Sequence, residues 1–114
     1  MREYESIQKW FADDRYTKHT ENTYLGYITM FCCIVHKNPD ELADVTSEEA
    51  LNLQKKLVNV MREEFDLRII SIIQRIAPLH MFWRINGVEV TDDMMKYKGT
   101  PRLRTRKGTM LEKP

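Results

Sequence analysis

Glycine and proline are scarce in this chain, four of each among 114 residues, and three of the four glycines fall at or after Gly87. With so few helix breakers ahead of that point, the front three-quarters is expected to be mostly helix. There are only two cysteines, Cys32 and Cys33. Adjacent cysteines make a poor ordinary disulfide and fit reduced thiols in an intracellular, cytoplasmic setting. No apolar run approaches the roughly 20 residues of a membrane span. The segment richest in Ile and Phe is interrupted by Gln74, Arg75, Pro78 and His80, so no membrane partner is expected. The start, Met1-Arg2-Glu3-Tyr4-Glu5, lacks the apolar region of a signal peptide, which argues against secretion.

What is present describes one soluble globular domain. Apolar residues make up 42% and charged residues 31%, outside the disordered range. A chain of this size buries roughly two-thirds of its unfolded surface, enough for a core without staples. The net charge of +1 conceals an asymmetry. Residues 1–95 hold 11 Lys and Arg against 16 Asp and Glu, a balance of −5. Residues 96–114 hold seven against one, a balance of +6. A mildly acidic body with a basic tail points to a polyanion met by the tail and a few local patches, or else to a solvated terminus.

Periodicity divides the body into four apolar stripes. Tyr4, Ile7, Trp10 and Phe11 share one face of a short first helix within 3–13. After a polar connector from Asp13 to Lys18, Thr20 is read as an N-cap, with Glu21 in the first turn suiting the helix dipole. Tyr24, Tyr27, Ile28, Phe31, Cys32 and Val35 continue that helix to about His36, where Lys37-Asn38-Pro39 ends it. Thr46-Ser47-Glu48-Glu49 is a capping box. The buried face of the third helix follows from it through Ala50, Leu53, Leu57, Val60 and Met61. After a break at Asp66-Leu67, the segment Arg68–Ile85 is apolar on much of its circumference, which suits a central helix or one lending a face to a partner. Pro78 predicts a kink or a break near Ala77, and Asn86-Gly87 a stop. Beyond Thr91 the periodicity fades, and Lys98–Lys107 has the composition of a linker.

No catalytic constellation is visible. His19, His36 and His80 with Cys32 and Cys33 are the soft metal ligands, and none has zinc-site spacing. Cys32 is therefore expected in the core, the histidines near helix ends, and neither a metal nor another cofactor is expected. Asp13-Asp14 and Asp92-Asp93 read as solvated or capping pairs. There is no nucleophile elbow and no glycine-rich phosphate loop. The aromatic residues follow helical stripes and fit core packing better than a stacking platform. More informative are Lys18, His19, Thr20, Asn22 and Thr23, which open a helix with groups suited to phosphate. Arg68, Ser71 and Arg75 give the fourth helix a polar side able to meet base edges. Each has an ordinary alternative, capping for Thr20 and a solvated face for Arg75.

Several of these features occur in an order that resembles the core-binding domain of tyrosine recombinases, the phage-integrase family. They are Trp10-Phe11, then Thr20-x-x-Thr23-Tyr24-x-x-Tyr27 leading to Phe31, then Val45-Thr46-Ser47-Glu48-Glu49, then an Ile-rich helix ending Met81-Phe82-Trp83. The resemblance covers about residues 5–107. It includes the basic tail with Arg102, Arg104, Arg106 and Lys107, which is similar to that family's interdomain linker. Pro78 departs from the pattern, because the family's corresponding helix is continuous. The resemblance implies an all-α, compact four-to-five-helix bundle of SAM-like fold over 1–95, with 96–114 as a linker toward a catalytic domain. It implies one arm of a clamp on double-stranded DNA and no catalytic residues in this chain. Phosphate contacts would come from the Lys18–Thr23 turn and the tail, and groove contacts from Arg68, Ser71 and Arg75. Other recombinase subunits would be partners on DNA, with a monomer expected in isolation. The competing expectation is a helical protein-interaction module with no nucleic-acid role, which the acidic body favours.

Overall fold

The computed structural model describes residues 1–12 and 14–96. Among them six helices are found: α1 (Glu5–Trp10), α2 (Lys18–Val35), α3 (Pro39–Ala43), α4 (Ser47–Glu63), α5 (Ile69–Ile85) and α6 (Asp92–Lys96). No strand occurs among the described residues, and no helix among them is long and apolar enough to cross a membrane. The all-α expectation holds, with two more short helices than there were apolar stripes. Lys98–Lys107 and the rest of the expected linker beyond Lys96 lie outside the described residues.

Local chemistry sets the helix ends. The Thr46 hydroxyl accepts from the Glu49 N–H at 3.1 Å, and the Glu49 carboxylate accepts from the Thr46 N–H at 2.8 Å. That is the reciprocal box expected at the start of α4. A second such box joins Asn38 and Glu41, with Pro39 at the first helical position. Helix α2 does stop ahead of Pro39, as the sequence context predicts, and Pro39 opens α3, where its missing N–H is not needed. At α2 the cap is Thr17, not Thr20. The Thr17 hydroxyl accepts from the Thr20 N–H at 3.2 Å, which makes Thr20 the third helical residue. His36 closes α2 in the left-handed conformation at φ 58°. Helix α6, which has no apolar stripe to announce it, is started by Thr91, whose hydroxyl accepts from the Met94 N–H at 3.3 Å.

Helix α5 runs unbroken through Pro78. Of the kink or break expected near Ala77, the break does not occur.

The core joins all six helices around Trp10, Phe31, Leu57, Ile76, Phe82 and Trp83, each almost fully buried. On α4 the buried stripe is Ala50, Gln54, Leu57, Val58 and Met61, so Leu53 and Val60, expected inside, are half-buried instead. A polar knot explains the rotation. The Gln54 Nε2 donates to the Met94 carbonyl at 2.8 Å, and the Gln54 Oε1 lies 2.7 Å from the His80 Nε2. An amide oxygen only accepts, so the His80 Nε2 carries the proton of that bond. His80 is thus an interior residue that ties α5 to α4 and α6, a correction to its expected place near a helix end. Two further bonds close the bundle. The Trp83 Nε1 donates to the Leu42 carbonyl at 2.9 Å. The Ser6 N–H donates to Asp40 at 2.9 Å, capping α1 from α3 and holding the Asp40 carboxyl below its usual range.

Candidate nucleic-acid interface

Helices α2 and α5 pack against each other, and each is poor in acid. No Asp or Glu occurs between Glu21 and Asp40, nor between Asp66 and Glu89. Seven of the 17 acidic residues lie instead between Asp40 and Glu64, on α3, α4 and their connections. The −5 balance of the body is therefore unevenly spread along the sequence, and α2 and α5 themselves carry only Glu21. The one acid within α2, Glu21, is buried, and the Arg2 Nη1 donates to it at 3.0 Å. The Arg2 Nη2 donates to Asn22 Oδ1 at 3.2 Å.

The two expected DNA-contacting groups meet this face differently. In the Lys18–Thr23 turn, Lys18 and His19 are exposed at the first two helical positions. The polar groups of the other three are engaged within the protein. Thr20 is bonded to Thr17 through both its N–H and its hydroxyl, Asn22 takes the Arg2 bond, and the Thr23 hydroxyl donates to the His19 carbonyl at 3.0 Å. Arg68, Ser71 and Arg75 share one stripe of α5, Arg68 as its exposed N-cap and the other two half-buried. That stripe borders α2. The Arg75 guanidinium lies over the Tyr27 ring, and its Nε is buried with no hydrogen-bond partner. Thr23 stands one helical turn before Tyr27, so the Arg75 end of the α5 stripe meets α2 about one turn from the end of the Lys18–Thr23 turn. Arg68 lies about two turns away along α5, roughly 10 Å by helical rise. Arg102, Arg104, Arg106 and Lys107 lie outside the described residues.

An aromatic row backs the face. The Phe11 and Trp10 rings stack at 4.8 Å, Trp10 and Tyr24 at 5.5 Å and only 5° from parallel, and Tyr24 adjoins Tyr27 at 6.5 Å. Arg2 lies over Phe11 at 5.7 Å at one end, and Arg75 over Tyr27 at the other. Trp10 is core, as expected. Phe11, Tyr24 and Tyr27 are half-buried and reach the surface.

No protein-family model, curated protein or solved structure matches the chain. Gln74 and Arg84 are exposed on α5 and belong with its acid-free side, although neither was among the expected contact residues. The signal for them is the run without Asp or Glu from 67 to 88. Arg2 carries no such signal, because its partner lies 19 residues on.

The thiols and histidines form no centre. Cys32 is buried, and burial pushes its thiol up to about 12. Cys33 and His36 border the same open groove beside Tyr4 and Pro39. Among the described residues no three His, Cys, Asp or Glu side chains converge as metal ligands.

Proposed function

We propose that this chain binds double-stranded DNA along the α2–α5 face and performs no chemistry itself, acting as the non-catalytic core-binding arm of a tyrosine recombinase. One observation carries the reading. Two helices that together carry one acid are packed side by side, with Arg75 held on Tyr27 and that one carboxylate, the buried Glu21, answered by Arg2. Polyanions are attracted wherever a surface concentrates cations and excludes acids, even when the net charge of the molecule is small. Lys18, Arg68 and Arg75 supply the phosphate-contacting charge, and the basic tail adds to it. The recombinase half of the reading rests on the resemblance in residue order and on the helical bundle.

Titration of a fluorescent duplex with the full chain at low ionic strength tests the proposal. Binding that weakens linearly in log–log with added salt, and that Arg75→Ala weakens further, is the expected result. A chain that leaves duplex mobility and anisotropy unchanged at low salt overturns it. A second reading, a protein-interaction module, is favoured by two large apolar side chains left in solvent near the α4–α5 connection. Phe65 is 46% and Ile70 59% exposed.

A further inference from the structure

The exposed residues of α5 are concentrated on one ridge. Ile70, Gln74, Ala77 and Arg84 are exposed, and Met81 between them is half-buried. At 3.6 residues per turn these five positions span an arc of only about 80°. Arg75 stands about 100° around the helix from Gln74, on the side that meets Tyr27. The outermost line of the helix is thus a different set of residues from the Arg68–Ser71–Arg75 stripe.

The chemistry of that line is unusual for solvent. It begins with a β-branched apolar side chain 59% exposed, continues with an uncharged amide and a methyl-sized residue, and ends in Arg84, with no acid anywhere on the helix. A solvated helix face ordinarily carries charges of both signs. The major groove of duplex DNA asks for what this line offers. A side-chain amide pairs bidentately with adenine N6 and N7, and apolar side chains meet the C5-methyl of thymine. Ala77 leaves room for a close approach, and Arg84 at the end of the ridge supplies a cation for the phosphates on the groove's rim.

We propose that the Ile70–Gln74–Ala77 ridge is the base-reading element of the interface and that it selects A·T pairs, with Gln74 on adenine and Ile70 beside thymine methyls. Arg68 and Arg75, turned toward α2, hold phosphates and carry no sequence preference. This inference rests on the duplex-binding reading above.

Selection of bound sequences from a random duplex library by the full chain is the test. Wild type is expected to enrich sites with A·T pairs at the centre of the contacted stretch. Gln74→Ala should flatten the preference at one adenine by about tenfold. Replacing thymine by uracil, which removes only the methyl, should weaken wild type but not Ile70→Ala. Both substitutions are at exposed positions and to the best helix former, so the fold persists, and circular dichroism verifies it. Duplex binding with an enriched motif that Gln74→Ala leaves unchanged overturns the ridge assignment while the DNA-binding reading stands. Loss of self-association in Ile70→Ala, seen by sedimentation, together with unaltered DNA binding also overturns it, in favour of a protein contact. Absence of any duplex binding overturns both.

Discussion

The guanidinium carbon of Arg75 lies 4.9 Å from the centre of the Tyr27 ring, joining two helices through a cation held on an aromatic face. Such a contact contributes about 0.5–1 kcal/mol at a partly exposed site. It also fixes where the charge sits. If Arg75 meets phosphate, Arg75→Ala should weaken binding equally on every duplex and lower the slope of log affinity against log salt by about 0.9. Tyr27→Leu should weaken binding in the same way but to a smaller degree, and Tyr27→Phe should leave it unchanged. A loss confined to one preferred sequence would make Arg75 a base reader instead.

The capping box at Thr46 is a stability device remote from the interface. Thr46→Ala should lower unfolding free energy by about 1 kcal/mol with no change in duplex affinity. Urea melts of Thr46→Ala, Glu49→Ala and the double variant measure the reciprocity. The double variant should lose less than the two singles together, because either change breaks the same motif.

Gln54 sits at the centre of the polar knot. Gln54→Leu keeps the volume but removes the acceptor facing His80 and the donor facing the Met94 carbonyl. Each buried group deprived of its partner costs about 1–3 kcal/mol, so Gln54→Leu should be among the most damaging single changes on α4. Hydrogen exchange should rise first in α6, which Gln54 ties to the body. Unchanged exchange there would remove the knot as the anchor of α6.

The two thiols should behave as opposites. Cys33, exposed, is expected to react with a thiol reagent at pH 8 within minutes, and Cys32 only on unfolding. Burial raises the Cys32 pKa from 9.0 to about 12. The folded state therefore favours the neutral thiol, and this contribution is fully present below pH 9. It is lost as pH rises from 9 toward 12, because the unfolded chain ionises first. Cys32→Ala should remove that part of the alkaline decline in stability, measured against wild type so that the tyrosines cancel.

Ending the chain after Lys96 removes Arg102, Arg104, Arg106 and Lys107 while keeping all of α6. The salt slope of duplex binding should flatten by roughly 2–3 units, since not all four cations engage at once. Helical content per folded residue should not fall. An unaltered slope would mean that the tail meets no phosphate.

How much of the fold is legible in the sequence depends on how local each signal is. Thr46 and Glu49 are three residues apart, and their bond follows from spacing alone. The stripe through Ile28, Phe31, Cys32 and Val35 is equally local and is buried as expected. Asn38-Pro39 signals the end of α2, and the same residues satisfy the start of a helix when Glu41 follows. Thr17 and Thr20 are both good caps, and only the phase of the helix separates them. The interior places of Gln54 and His80 depend on each other across 26 residues, and the cap that Asp40 lends to α1 spans 34. No periodicity reveals bonds of that kind. In the candidate interface the grouping of Arg68, Ser71 and Arg75 on one stripe follows from spacing alone, but its direction relative to the outer ridge depends on which side of α5 meets α2.

The aromatic row has a thermodynamic consequence for any anion that reaches Arg75. An arginine on a surface ordinarily keeps rotamer freedom equivalent to about 2 kcal/mol, and a ligand that immobilises it must overcome that entropy. Arg75 has surrendered much of this freedom on folding, through a stack that runs from Phe11 across Trp10 and Tyr24 to Tyr27. Association at this point should therefore carry a smaller entropic penalty than association at Arg68, whose stem is exposed. Loosening the stack at Trp10, far from the contact, should weaken affinity through entropy while leaving the enthalpy of the phosphate contact nearly intact.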